Sequence, residues 1–149
     1  MYADYDADSW TANAVWQQTF RYLKVDIASY IPDRFTEGYG LNIEAFEKIK
    51  EQGVTLVITV DCGTNSVDVA DFCRANNIDL IISDHHEITG DTPESFALIN
   101  PQNPTEQYPD DQITGVGVAY KFAKAILMQA ETVIAQKKIE PEHYTPEVN

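Results

Sequence analysis

At 149 residues, 44% hydrophobic and 23% charged, the chain is long enough for one domain with a real core and too apolar for a disordered one. Its formal charge of −14, from 24 acidic against 10 basic residues, is a poor match to a protein that grips nucleic acid unaided, because Lys and Arg supply non-specific affinity for phosphates. No apolar run nears the roughly 20 residues of a membrane span and no basic-then-apolar leader opens the chain, so a cytoplasmic protein without a membrane partner is expected.

In chain order, Met1-Tyr-Ala leads into the acidic run Asp4-Tyr-Asp-Ala-Asp8. If that run closes a buried strand, the strand has about three residues where about 5–6 is usual, and the chain is expected to start inside it. Residues 11–23 are predicted helical, with Ala12, Trp16, Phe20 and Leu23 on one face. Residues 25–31 read as a short strand stopped by Pro32, and residues 34–42 as a glycine-punctuated loop. Asn42 is placed to cap a helix through Ile43, Phe46 and Ile49, with Gly53 past its end.

Residues 55–60 are apolar and β-branched, a buried-strand signal, and end at Asp61-Cys62-Gly63. A helix over residues 66–76 uses Val69, Ala70 and Cys73, and a second buried strand over 79–83 ends at Asp84-His85-His86. Residues 96–99 are a third strand, closed by Asn100-Pro101, and the segment to Gln112 reads as loop. From Gly117 a helix runs to about residue 137, with Ala119, Ala123, Ile126, Ala130 and Val133 on one face. The tail from Pro141 shows no pattern. Cys62 and Cys73 stand alone and read as buried reduced thiols, not as a disulfide framework or a zinc site. The alternation predicts an α/β fold, a three-layer Rossmann-like parallel sheet of about five strands.

Three clusters each follow an apolar strand: Asp4/Asp6/Asp8, Asp61, and Asp84-His85-His86. Ligands of open α/β sheets bind beyond the carboxyl ends of the strands. Carboxylates gathered there need a counter-charge, and Asp/His donors without thiolate suit Mn2+ or Mg2+. Two such ions about 3.5–4 Å apart would polarise a phosphoryl oxygen and generate a hydroxide. Each cluster alone has a plainer reading. An Asp-x-Asp-x-Asp run is more often a calcium loop, a capping turn or a solvated loop, a strand-end Asp often caps a helix, and paired histidines are often surface residues. Three such clusters on three apolar strand ends are harder to explain that way.

Asp84-His85-His86 at a strand end resembles the signature triplet of the DHH phosphoesterases, and Asp4-Tyr-Asp-Ala-Asp8 and Val60-Asp61-Cys62-Gly63 look like that family's first two motifs. Within the family, the segments Tyr30-Ile-Pro-Asp-Arg-Phe-Thr-Glu-Gly-Tyr-Gly-Leu-Asn42 and Gly115-Val-Gly-Val-Ala-Tyr-Lys121 are similar to the RecJ-type exonucleases. The resemblance runs from residue 2 to about residue 127. It implies a strand order of 2-1-3-4-5 and metal-dependent 5′→3′ hydrolysis of single-stranded DNA in repair and recombination. It also implies two Mn2+ or Mg2+ ions and replication or repair proteins as partners. Asp6, Asp8, Asp61 and His85 match metal ligands, Asp61 bridging, with Asp4 a further acidic position. Asp61, His85 and His86 form the implied catalytic set, Asp84 orients the histidine pair, and His86 meets the substrate phosphate. Gly115 and Gly117 either present free backbone N–H groups to a phosphate or serve a tight turn and close helix packing.

Three departures shape the expectation. Ser9 stands where the resemblance has glycine, one further metal-binding aspartate of the pattern lies past the last residue, and the second DNA-holding domain is not within residues 1–149. The chain by itself is therefore expected to show weak nuclease activity or none. Two other readings stay open: a phosphoesterase for short oligonucleotides, cyclic dinucleotides or pyrophosphate, and a non-catalytic remnant kept as an interaction module.

Overall fold

The computed structural model describes residues 1–105 and 108–137, so the patternless tail lies outside the described residues. The elements are β1 (Tyr2–Ala3), α1 (Ala7–Tyr22), α2 (Ile43–Glu51), β2 (Leu56–Val60), α3 (Val67–Ala75), β3 (Asp79–Ser83), β4 (Ala97–Ile99) and α4 (Gly115–Lys137). The four strands pair in parallel in the order β1-β2-β3-β4.

Side chains alternate across each strand and divide the core in two. Tyr2, Val57, Leu80 and Ile82 face α2 and α3, meeting Phe46, Ile49, Val69 and Cys73. Ala3, Ile58 and Val60 face the other way, onto Ala12 and Trp16 of α1 and Ala119 and Ala123 of α4. The Trp16 ring meets Phe122 edge-on at 4.9 Å, closing the second layer. Each fully buried aliphatic chain such as Ile82 contributes about 1.5–3 kcal/mol. The result is the expected three-layer α/β arrangement, with two buried faces and strands that are apolar on both.

Register sets the position of the acidic clusters. Ala3 is level with Val60, and Ile58 with Ile81. The next residues on these strands, Asp4, Asp61 and Asp84, therefore emerge along one edge. Asp61 N–H donates to Ser83 O at 2.8 Å and Asp84 N–H to Ile99 O at 3.0 Å, which carries the pairing into the loops that bear the chemistry.

Three expectations need correction. The sheet has four strands, since residues 25–31 make a single bridge from Tyr30 to Tyr2. Val25, Asp26, Ala28 and Ser29 are exposed, and a two-residue β1 offers one bridging position. The bridge lies beside β1, so the implied order is kept with its outer strand reduced. Helix α1 begins at Ala7, not near residue 11, because Asp6 caps it by accepting from Ser9 N–H. Helix α4 begins at Gly115, two residues before the predicted start, for a reason that lies in the site.

Candidate metal centre

The chain leaves β2 through a turn that aims Asp61 inward. Asp61 takes φ +60°, a left-handed conformation that costs a non-glycine residue about 1–2 kcal/mol. Thr59 Oγ1 pins the turn by donating to Cys62 O at 2.7 Å. Gly63, at φ +108°, completes it where a Cβ would lie 3.1 Å from Leu41 Cδ1. The Asp61 side chain, 2% exposed, then splits its two oxygens. Oδ2 accepts from Ser9 Oγ at 2.8 Å. Oδ1 is 3.0 Å from His85 Nε2 and is buried without a hydrogen-bond donor.

Helix α4 is built around that oxygen. A Cβ on Gly115 would lie 2.2 Å from Asp61 Oδ1, so the missing side chain is the space the carboxylate uses. Gly115 N–H and Val116 N–H donate to the two oxygens of Asp8 at 2.7 and 2.8 Å. Asp8 thus caps α4 from α1, and this is why α4 starts early. Gly117 N–H goes to Thr114 Oγ1, and a Cβ there would meet Ile113 Cγ1 at 2.5 Å. The amides of Gly115 and Gly117 are accordingly committed within the protein, and the geometry of both glycines is that of close packing.

Asp84 has the opposite environment. Its carboxylate, 1% exposed, accepts from Thr64 N–H at 2.9 Å, His85 N–H at 2.7 Å, His86 N–H at 3.3 Å and His86 Nδ1 at 2.7 Å. Asn100 Nδ2 holds His86 O and Thr64 Oγ1, each at 2.8 Å, and Gln102 Nε2 holds His85 O at 2.7 Å. The backbone of the histidine pair is therefore fixed from two sides. Burial pushes the Asp84 carboxyl up, but the hydrogen bonds from His86 and Thr64 overcome it and hold it at about 2. The same bond to Asp84 raises His86 to about 9. Burial and the nearby Asp8 charge push Asp61 up to about 6, against the Ser9 hydrogen bond and His85.

These side chains fit a divalent cation. Donor atoms of Asp61, His85 and His86 lie within 4.8 Å of one another, and Asp8 Oδ2 is 3.8 Å from His85 Nε2. Asp61 Oδ1 and Asp4 Oδ2 are both buried carboxylate oxygens with no donor, which is unfavourable without a counter-charge. Asp6 is occupied as the α1 cap through Oδ1, yet its charge acts on Asp4, Asp61 and His86. His86 has one ring nitrogen tied to Asp84, and its Nε2 faces Tyr39 Oη at 3.3 Å. The Asp and His positions picked out by motif all lie at this edge, but Asp8 and Asp6 already serve helix ends.

Sequence reasoning missed several parts of this edge. Thr64, Asn100 and Gln102 carried no signal beyond turn and strand-end chemistry. Tyr39 stands between Gly38 and Gly40, at φ +79° and +80°, and that pair of glycines was the only sign that the loop turns back toward His86.

The DHH family, N-terminal domain, matches residues 1–145 of the chain. The single-stranded-DNA-specific exonuclease RecJ of Bacillus subtilis (strain 168) is 45% identical over 127 residues, which are 85% of this chain and 16% of that protein. The protein of that name from Escherichia coli (strain K12) is 36% identical over 125 residues, 83% of this chain and 22% of its own length. The chain thus spans less than a quarter of either relative. Among solved structures, an exonuclease RecJ bound to manganese superposes with a TM-score of 0.78 at 29% identity, over 87% of this chain and 32% of that one. RecJ from Thermus thermophilus in complex with Mn2+ gives 0.66 at 25% identity, over 87% and 18%.

Proposed function

Since this chain belongs to the DHH family, we propose that it carries the metal-binding half of a nuclease site that hydrolyses phosphodiesters of single-stranded DNA from the 5′ end. The observation that carries this reading is Asp61 Oδ1, a buried carboxylate oxygen with no donor, 3.0 Å from a ring nitrogen that Asp8 also faces. A buried carboxylate oxygen with no donor, set beside an imidazole nitrogen and a second carboxylate, is a place where a cation supplies the missing counter-charge. Manganese or magnesium suits the Asp/His donor set, and thiolate is missing from it.

Asp8, Asp61 and His85 would hold a cation, with Asp6 and Asp4 as the carboxylates next in reach for a second. Such ions, when bound, polarise a phosphoryl oxygen and lower the pKa of coordinated water. Asp84 orients the histidine pair through their backbone amides and the His86 ring. That leaves His86 Nε2 as the donor toward a phosphate oxygen, on the half-exposed side of the pair. The net charge of −14 opposes DNA binding, so strand affinity in this reading comes from contacts outside these residues. No helix among the described residues is long and apolar enough to cross a membrane; a cytoplasmic site of action and replication or repair partners belong to the same proposal.

Thermal melting tests the centre. Mn2+ at 100 times its dissociation constant is expected to add about 2.7 kcal/mol of stability, and Asp61→Ala to lose most of that gain. An equal melting shift in Asp61→Ala sinks the assignment. Substrate class is read by setting a 5′-phosphorylated single strand beside a cyclic dinucleotide and pyrophosphate, each with Mn2+. Turnover of the small molecules alone would replace the DNA reading with the small-substrate one.

A further inference from the structure

Ser9 is fully buried at the third residue of α1 and makes two bonds to two different carboxylates. Its N–H donates to Asp6 Oδ1 at 2.8 Å, and its hydroxyl donates to Asp61 Oδ2 at 2.8 Å across 52 residues of sequence. The hydroxyl therefore does nothing for its own helix, whose cap depends on the backbone bond. Among the described residues it is also the only hydrogen-bond donor to the Asp61 carboxylate. Asp84, by contrast, takes three of its four donors from the backbone, where no side-chain substitution reaches them.

We infer that Ser9 is a positioning residue that divides the work of Asp61: it binds Oδ2 to the protein and thereby turns Oδ1 toward a cation shared with His85. The inference rests on the metal-centre reading. Three features fix the carboxylate plane together. The left-handed backbone at Asp61 sets its direction, the missing Cβ of Gly115 leaves room for Oδ1, and the Ser9 hydroxyl holds the other oxygen. Without the hydroxyl, Asp61 is free to turn about its last torsion, and Oδ2 becomes a second buried oxygen with no donor. A cation then has to organise the ligand as it binds. With the hydroxyl, Asp61 gives one oxygen, already aimed.

The test is a Mn2+ titration of the chain followed by the electron paramagnetic resonance signal of the free ion, on the parent, Ser9→Ala, Ser9→Gly, Ser9→Thr and Asp61→Asn. Removal of a group that orients a metal ligand costs about 10–100-fold in affinity. Ser9→Ala and Ser9→Gly are expected to bind Mn2+ at least about tenfold more weakly than the parent, while melting cooperatively without the ion. Ser9→Thr, which keeps the hydroxyl, is expected to restore most of the affinity; a merely structural role for Ser9 would not separate Thr from Ala and Gly in this way. Binding by either hydroxyl-free variant as tight as the parent's, or tighter, overturns the inference. Asp61→Asn separates the two levels, because equal binding by it and by the parent removes the metal centre itself, whatever the Ser9 variants do.

Discussion

Asp61 and Asp84 end neighbouring strands, and both are almost inaccessible to solvent, at 2% and 1% exposure. They differ in their hydrogen bonds. Asp84 accepts from four donors and is held at about 2, whereas Asp61 has one hydroxyl on Oδ2, no hydrogen bond on Oδ1, which faces His85 Nε2 at 3.0 Å, and is pushed up to about 6. Burial alone thus says little about which carboxylate meets a ligand. A buried anion whose acceptors are filled by its own protein belongs to the scaffold, and one with an acceptor left open is incomplete in itself.

The largest effect expected from this contrast is on stability. Asp84→Ala leaves three amides and the His86 ring without their acceptor in a buried setting, a loss of about 3 kcal/mol or more. Asp61→Ala relieves the crowding by Asp8 and Asp6 but leaves the buried Ser9 hydroxyl without its acceptor, so in chelator the two effects offset and the loss is expected to be about 1 kcal/mol or less. Urea unfolding of both variants in chelator reads the difference. Equal losses would mean that Asp61, too, is part of the scaffold.

A smaller effect separates the two glycines of α4. In Gly115→Ala the new Cβ would strike Asp61 Oδ1, Cγ and Cβ at 2.2, 2.5 and 2.7 Å. That carboxylate is fixed by Ser9 and by its own backbone, so overpacking should cost about 1–3 kcal/mol and remove Mn2+ binding. In Gly117→Ala the obstacle is Ile113 Cγ1 at 2.5 Å and Cδ1 at 3.0 Å, a β-branched side chain that has to shift. Overpacking of about 1–3 kcal/mol is partly offset by about 1 kcal/mol of helix propensity, so a net loss of about 2 kcal/mol or less is expected, with Mn2+ binding intact. Melting and Mn2+ titration of the pair show whether only the position against Asp61 is sensitive.

The contrast between the two aspartates also marks what the sequence could reveal. Apolar runs over residues 56–60 and 79–83 were legible as buried strands, and their common register was enough to align Asp4, Asp61 and Asp84. Asn42 was legible as a cap because it acts three residues away, on Ala45 N–H. What escaped notice acts over long sequence distances. Asp8 caps a helix 107 residues later, and Ser9 reaches Asp61 across 52. Neither pairing leaves a periodic trace. The Asp4/Asp6/Asp8 run is open to a capping reading and to a ligand reading, and nothing local shows that Asp6 takes the cap, which misplaces the start of α1. Residues 25–31 have strand composition, and only the shortness of β1 and their own exposure reveal why one bridge forms.

The smallest expected effect is a difference in sign with pH. Asp84 lies near 2 when folded against an ordinary 3.8, so its contribution is fully present above the ordinary value and is lost as pH falls through about 2. Asp61 is raised to about 6 from the same 3.8. The folded state holds its proton more tightly than the unfolded chain does, so stability from this group is greatest below the ordinary value and declines as pH rises through about 6. Parent minus Asp84→Asn should therefore gain stability with rising pH between about 2 and 4, and parent minus Asp61→Asn should lose it between about 4 and 6. One proton limits either slope to about 1.4 kcal/mol per pH unit, and solvent near the half-open histidine side reduces it. Mn2+ adds the decisive arm. A cation binds the ionised carboxylate, so its affinity rises as Asp61 loses its proton, and saturating Mn2+ should flatten or reverse the Asp61 slope while leaving the Asp84 slope in place. Two slopes that respond alike to Mn2+ would show that the ion does not distinguish the open carboxylate from the filled one, and the contrast between the two strand ends would then have no bearing on metal binding.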